Sequence, residues 1–239
     1  DIKQKAAYEL PSGDWSSDVC SADLSSPTPT TNRGGHHKKE NCMLHDEDAR
    51  RAIEGVDIAD DGHTGRGPYI TTYTGRFYFN DPRPEDVRLS DIAHSLARIN
   101  RYSGHGDREC RVAEHSVHIY RWRVAQNASR EERACGLLHD SPEALSGFGD
   151  VASPRKRLVP AIGAAEDLIW VKAIAPRFGL PLTLPGIVHE VDRRICADES
   201  AQNLHEVLGK DPLGITLEYW SADKAEAEFL RAARELELV

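Results

Sequence analysis

From Ser90 to its end the chain repeats apolar residues at helical spacing, and prolines or turn residues break that spacing at intervals. Ile92, Ala93, Leu96 and Ile99 open the series, with Ser90 as the expected N-cap. The same reasoning predicts helices over about 111–126, 130–140, 155–178, 185–208 and 221–237, the last capped by Ser221. Pro181, Pro185 and Pro212 punctuate them. Strand-like composition is confined to Tyr69–Tyr73 and Arg76–Phe79, which flank Thr74-Gly75 and predict one small hairpin. No internal repeat is present. The pattern therefore points to an all-α domain, a helical bundle with a small N-terminal β-hairpin.

Residues 1–42 carry no such period. Ser25–Asn41 consists of Ser, Thr, Pro, Gly and charged residues with no apolar face, and Gly13–Leu24 follows neither helical nor strand spacing. The stretch reads as a disordered tail or as a non-native one, since Gly13–Leu24 resembles translated adapter sequence. Met43, the sole methionine, is the expected native start, so the folding domain is taken as 43–239, with a short helix at Glu47–Ile53.

Several function classes are excluded early. A net charge of −9 offers no basic field for a nucleic-acid duplex. No apolar run approaches the length of a bilayer span, so no membrane partner is expected. Cys20, Cys42, Cys110, Cys135 and Cys196 are scattered without a C-x-x-C pair, which excludes a zinc ribbon or a thioredoxin-type motif. Dispersed cysteines of this kind fit reduced thiols in a cytoplasm.

The segment with most chemical content is Leu137-Leu138-His139-Asp140-Ser141-Pro142-Glu143. A buried helix ending in adjacent His and Asp presents an imidazole nitrogen and a carboxylate oxygen to one point, a ligand pair suited to a divalent ion. His115 lies one helix upstream in Val112-Ala-Glu-His-Ser116. Asp192 lies downstream among Ile187, Val188, Val191 and Ile195, an apolar stripe that turns it inward. A carboxylate so placed needs a partner to offset its burial, and a metal ion is a good one. The proline after Ser141 disfavours α geometry there, so Ser141 is expected to cap a fresh turn with Pro142 at its first position.

The order His115, His139-Asp140, Asp192 resembles that of the HD-domain phosphohydrolases, an all-α, metal-dependent superfamily. Within it the chain looks most like the small 5′-deoxynucleotidase and phage deoxynucleoside triphosphate hydrolase branch, over roughly Tyr69 to Leu208. There the His-Asp pair is followed by Glu, then Gly-Asp, then a Ser/Thr-Pro-x-Lys-like element. Glu143, Gly149-Asp150 and Ser153-Pro-Arg-Lys156 match in turn, with Asp150 two residues farther along than the pattern has it. The blocks Tyr73-Thr-Gly-Arg76, Asp81–Asp86, Asp91–Leu96 and Arg101–His105 look like phage and prophage members.

The resemblance implies hydrolysis of phosphate from free deoxynucleotides (dNTP, with dATP favoured, or dNMP) by a metal-activated water. One divalent ion (Zn, Co, Mn or Mg) would sit on His115, His139, Asp140 and Asp192. Glu143 and Asp150 would be the catalytic acid/base groups, and Arg101, Lys156 and Arg98 would meet phosphate. It further implies a small-molecule nucleotide substrate, a homo-oligomer, and a cytoplasmic protein of phage or prophage origin. A phosphodiesterase on cyclic or oligomeric nucleotides, or a non-catalytic nucleotide-binding module, are the alternatives. Plainer readings stand beside these roles. Glu143 can be a helix-start carboxylate, Asp150 a turn residue, Arg101 a surface ion pair, and Arg155-Lys-Arg157 a solvated face. His94 and His105 read as structural, and Trp122, Trp170 and Trp220 as core or interface anchors.

Overall fold

The computed structural model describes residues 64–238; the tail at 1–42 and the short helix expected at 47–53 lie outside the described residues. Strands β1 (Ile70–Thr71) and β2 (Arg76–Phe77) pair antiparallel, Ile70 opposite Phe77 and Thr71 opposite Arg76. The hairpin is shorter than its composition predicts, because Thr72 N donates to Gly75 O at 2.9 Å and the turn takes all of 72–75. Asp91 holds that turn: its carboxylate accepts from Thr72 Oγ1 at 2.6 Å and from Thr74 N at 2.9 Å.

Helix α1 (Leu89–Leu96) buries Leu89, Ile92, Ala93 and Leu96. Its N-cap position is Arg88, not the expected Ser90, and no side chain caps it. Burial of Leu89 and the bonds of Asp91 to the hairpin start the helix earlier, which leaves Ser90 inside the first turn. Helix α2 (Val112–Ala125) packs along α3 (Arg130–Leu138), whose start is a capping box: Ser129 Oγ accepts from Glu132 N, and Ser129 N donates back to the Glu132 carboxylate. Helix α4 (Ser141–Ser146) has Asp140 at its N-cap position. Ser141 is therefore the first helical residue rather than the cap, and Pro142 lies in the first turn, where its missing N–H costs nothing. Gly147, at φ 80°, ends the helix in the left-handed region.

The single helix expected over 155–178 is in fact four pieces: α5 (Ser153–Leu158), α6 (Pro160–Ile169), a π-helical turn (Trp170–Ile174) and α7 (Ala175–Phe178). Val159, at φ −128° and ψ 76°, breaks the first junction just before Pro160. Pro176 has no N–H for an α-type bond to the preceding turn, and the π turn lies where that bond would fall. Helix α8 (Gly186–Asn203) stops short of 208, since Leu204 is extended and Leu208 N folds back onto Ser200 Oγ at 2.8 Å. Helix α9 (Ala222–Glu235) is capped as expected, Ser221 Oγ accepting from Lys224 N at 3.3 Å.

The described residues are thus mostly helical, with one small hairpin. Phe77, Ile92, Leu96, Leu138, Leu145, Ile174 and Phe229 are fully or almost fully buried in one core that joins the hairpin to α1–α4 and α9. A second apolar patch, Ile119 against Val191 and Ile195, clamps α8 onto α2. These two packings bring the C-terminal end of α3, the first turns of α2 and the middle of α8 together. Trp170 and Trp220 are buried, and Trp122 packs partly buried beside the second patch. Among the described residues no helix is long and apolar enough to cross a membrane.

Candidate metal centre

Four side chains, carried by α2, the α3–α4 corner and α8, converge where those segments meet. His115, on α2, is fully buried. Its Nε2 lies 3.4 Å from Nε2 of His139, 3.5 Å from Asp140 Oδ2 and 3.1 Å from Asp192 Oδ1. His139 Nε2 lies 3.2 Å from Asp140 Oδ1 and 3.8 Å from Asp192 Oδ1. His139 closes α3 and Asp140 opens α4, so the adjacency that the sequence shows becomes two ligand-type groups at one corner. Val188, Val191 and Ile195 are buried, and they turn Asp192 inward as the stripe predicts.

The outer ring nitrogens explain why the inner ones meet. His139 Nδ1 is 3.0 Å from Gly136 O, and His115 Nδ1 is 2.7 Å from Glu199 Oε1. An N–H on each Nδ1 satisfies those acceptors and leaves each Nε2 lone pair facing the centre. Asp140 Oδ2 is buried with no hydrogen-bond partner. Burial opposes the charge on Asp140, yet His139 and His115 hold its carboxyl down at about 2. In their protonated form the two imidazoles also donate to Asp192, and that holds its carboxyl well below its ordinary value although burial opposes the charge. Two imidazole nitrogens and two carboxylates at these separations, one carboxylate oxygen buried without a hydrogen bond, fit a divalent cation, and His115, His139 and Asp140 form a cluster able to hold one.

Glu143 is buried one helical turn from this corner. Burial first, and the charge of Asp140 next, push its carboxyl up to about 9. Its Oε1 accepts from Lys156 Nζ at 3.0 Å, while its Oε2 is buried without a partner. Lys156 also lies 2.6 Å from Glu166 Oε2, so its ammonium is shared by the buried Glu143 and the partly buried Glu166. Asp150 Oδ2 accepts from the backbone N–H of Tyr102 at 3.1 Å, and burial raises its carboxyl above the ordinary value. The Gly147-Phe148 step therefore still delivers Asp150 to the turn that carries Arg101.

Arg101 is buried rather than on the surface. Its Nε donates to Glu199 Oε2 at 2.8 Å and its Nη1 lies 3.7 Å from Asp140 Oδ2. Arg98 points elsewhere: its Nη1 donates to Glu226 at 2.7 Å, and Asp223 lies 3.8 Å from its Nη2. The residue expected to meet phosphate is thus an exposed strut between α1 and α9. His94 joins the same strut, 3.2 Å from Glu226 and stacked under the exposed ring of Tyr73.

Two carboxylates beside the site escape a reading of the sequence, the buried Glu199 and the partly buried Glu166. Glu199 follows Asp192 by two turns on the buried face of α8, a spacing that could have flagged it. Glu166 sits in a helix of small residues with no motif around it, and its link to Lys156 has no local signal.

No protein-family model matches this chain. An uncharacterized protein of Rhodobacter capsulatus is 38% identical over 109 residues, covering 44% of this chain and 55% of that relative. The uncharacterized protein YfdR of Escherichia coli K12 is 32% identical over 132 residues, 55% of this chain and 70% of that protein. The chain spans about half the length of the first relative and more than two thirds of the second. It belongs to the family of the E. coli protein.

Proposed function

We propose that this chain is a metal-dependent nucleotide phosphohydrolase of the HD-domain type, acting on free deoxynucleotides. The observation that carries the reading is the convergence of His115, His139, Asp140 and Asp192, with Asp140 Oδ2 buried among them without a hydrogen bond. Those four residues would hold one divalent ion. Bound there, such an ion lowers the pKa of water toward neutrality and offsets phosphate charge.

The chain supplies the rest. Glu143 Oε1 is fixed by Lys156, which leaves Oε2 as the atom able to hold or move a proton at the reacting centre. Arg101 keeps Nη1 toward Asp140, which places a guanidinium beside the metal corner to meet phosphate charge. Asp150 braces the backbone of the Arg101–Tyr102 turn, a positioning role in place of a second acid/base role. An acidic protein that receives phosphate in this way relies on local cations and excludes a long polyanion. The reading includes a cytoplasmic, phage-like protein acting as a homo-oligomer, with deoxynucleoside triphosphates, dATP first, as favoured substrates.

The test is a panel of dNMPs and dNTPs with Mn²⁺, Co²⁺, Zn²⁺ or Mg²⁺, read by product identity. Phosphate from monophosphates identifies a nucleotidase, and triphosphate from dNTPs identifies a triphosphate hydrolase. Turnover of cyclic or oligomeric nucleotides alone would transfer the reading to a phosphodiesterase. Nucleotide binding with no turnover in any arm would overturn an enzyme.

A further inference from the structure

Glu199 is the most enclosed carboxylate beside the candidate metal centre: it is fully buried, and both of its oxygens are engaged. Oε1 lies 2.7 Å from His115 Nδ1. Oε2 accepts from Arg101 Nε at 2.8 Å and from Tyr102 Oη at 2.7 Å. One acid thus receives three donors from two separate parts of the fold, α2 and the turn at Arg101–Gly104. That turn is strained, since Tyr102 at φ 58° and Ser103 at φ 52° both occupy the left-handed region.

We infer that Glu199 is a positioning residue for the metal centre: it fixes the proton of His115 on Nδ1, presents Nε2 to the ion, and ties the Arg101–Tyr102 turn to that same imidazole. This rests on the metal-centre reading above. The chemistry requires a carboxylate. An imidazole can offer Nε2 to a cation only if its proton sits on Nδ1, and a buried Nδ1–H needs an acceptor. Gln at the same place has one acceptor oxygen and an NH₂ group. It either turns that NH₂ toward Arg101 Nε, donor against donor, or turns it toward Nδ1 and drives the imidazole to the wrong tautomer. Neither arrangement serves all three partners. His139 needs no such residue, because the carbonyl of Gly136 accepts its Nδ1–H.

The experiment uses the full chain. Long-range ¹H–¹⁵N spectra of the Zn²⁺-loaded protein, with His115 assigned by its absence in H115Q, are expected to show a protonated, hydrogen-bonded Nδ1. Calorimetric titration with Zn²⁺ and with Mn²⁺ is expected to give E199Q an affinity about 10–100-fold lower than wild type, with the helical circular dichroism unchanged. Y102F, which keeps the carboxylate, should bind the ions within about threefold of wild type. An unprotonated Nδ1 of His115 in the wild-type chain overturns the proposal whether or not E199Q folds. So does E199Q binding within twofold of wild type. If the wild-type chain binds neither ion while its Nδ1 is protonated and bonded to Glu199, the metal-centre reading fails and this proposal falls with it. Those three results are distinguishable from one another.

Discussion

Lys156 Nζ lies 3.0 Å from Glu143 Oε1 and 2.6 Å from Glu166 Oε2, which makes the lysine a bridge between a buried and a partly buried acid. A lysine so engaged is a poor candidate for a mobile phosphate clamp. Its role is to fix one oxygen of Glu143 and leave the other free. K156M is therefore expected to retain bound metal and lose about 10²-fold in turnover, since misplacement of a reacting group by about an ångström has that effect. E143Q should also keep its metal and lose about 10²–10⁴-fold. Metal content by mass spectrometry, beside initial rates on the best substrate of the panel, checks both. A K156M rate near wild type would show that Lys156 does not position Glu143 for turnover.

The proximity of His115, His139, Asp140 and Asp192 has a thermal consequence. An ion present at a hundred times its dissociation constant stabilises the folded state by about 2.7 kcal/mol. For a domain of this size that corresponds to a rise of about 5–10 °C in Tm. Melting curves with and without Mn²⁺, Co²⁺ or Zn²⁺ should show the rise in wild type and none in H139A or D140N. An equal rise in D140N would place the ion elsewhere.

What the sequence makes legible here is local. His139 and Asp140 are neighbours in the chain, so the geometry of one helix end is enough to foresee that they share a corner. Asp192 could be oriented because Val188, Val191 and Ile195 mark the buried side of α8. Partners far apart in the chain carry no such signal. Arg98, which lies close to Arg101 in sequence, is expected to meet phosphate together with Arg101 and Lys156, yet Glu226 of α9 holds it. Glu199 binds Arg101 and His115 only because the patch of Ile119, Val191 and Ile195 sets the rotation of α8 on α2. The breaks at Val159 and at Trp170–Ile174 are hidden for a different reason: apolar spacing continues across them, while Pro160 and Pro176 withdraw N–H groups that spacing does not register.

The capping box at Ser129 offers a measurement away from the site. Ser129 Oγ accepts from Glu132 N at 3.1 Å, and the Glu132 carboxylate accepts from Ser129 N at 3.2 Å and from Arg123 Nη2 at 2.9 Å. S129A removes one half of that exchange and should cost about 1 kcal/mol in urea unfolding. His139 stands at the other end of the same helix, so turnover per folded molecule should stay at the wild-type value. A loss of turnover with unchanged stability would show that the cap acts on the site and not on the helix.

Glu114 gives the pH dependence. It is fully buried on α2, with Oε1 accepting from Glu218 N and Tyr219 N at 2.9 Å each and Oε2 accepting from Trp220 N at 2.7 Å. Tyr219 there is left-handed, at φ 57°, and the carboxylate holds that strained turn before α9. Burial opposes the charge on Glu114, but the hydrogen bonds from His118 and from the backbone N–H groups of Trp220 and Glu218 outweigh it, so the folded-state pKa falls below the ordinary 4.5. A depressed carboxyl pKa contributes stability that is fully present above the unfolded value and is lost as pH falls through the folded one. E114Q should therefore cost about 2–3 kcal/mol near neutral pH, where it replaces a charged acceptor of three N–H groups by a neutral amide. Below pH 4.5 the wild-type chain should lose its advantage and the two unfolding curves should draw together. Urea titrations at a series of pH values measure this. A gap between E114Q and wild type that stays constant down to the acid limit would mean that Glu114 contributes through packing alone, without its charge.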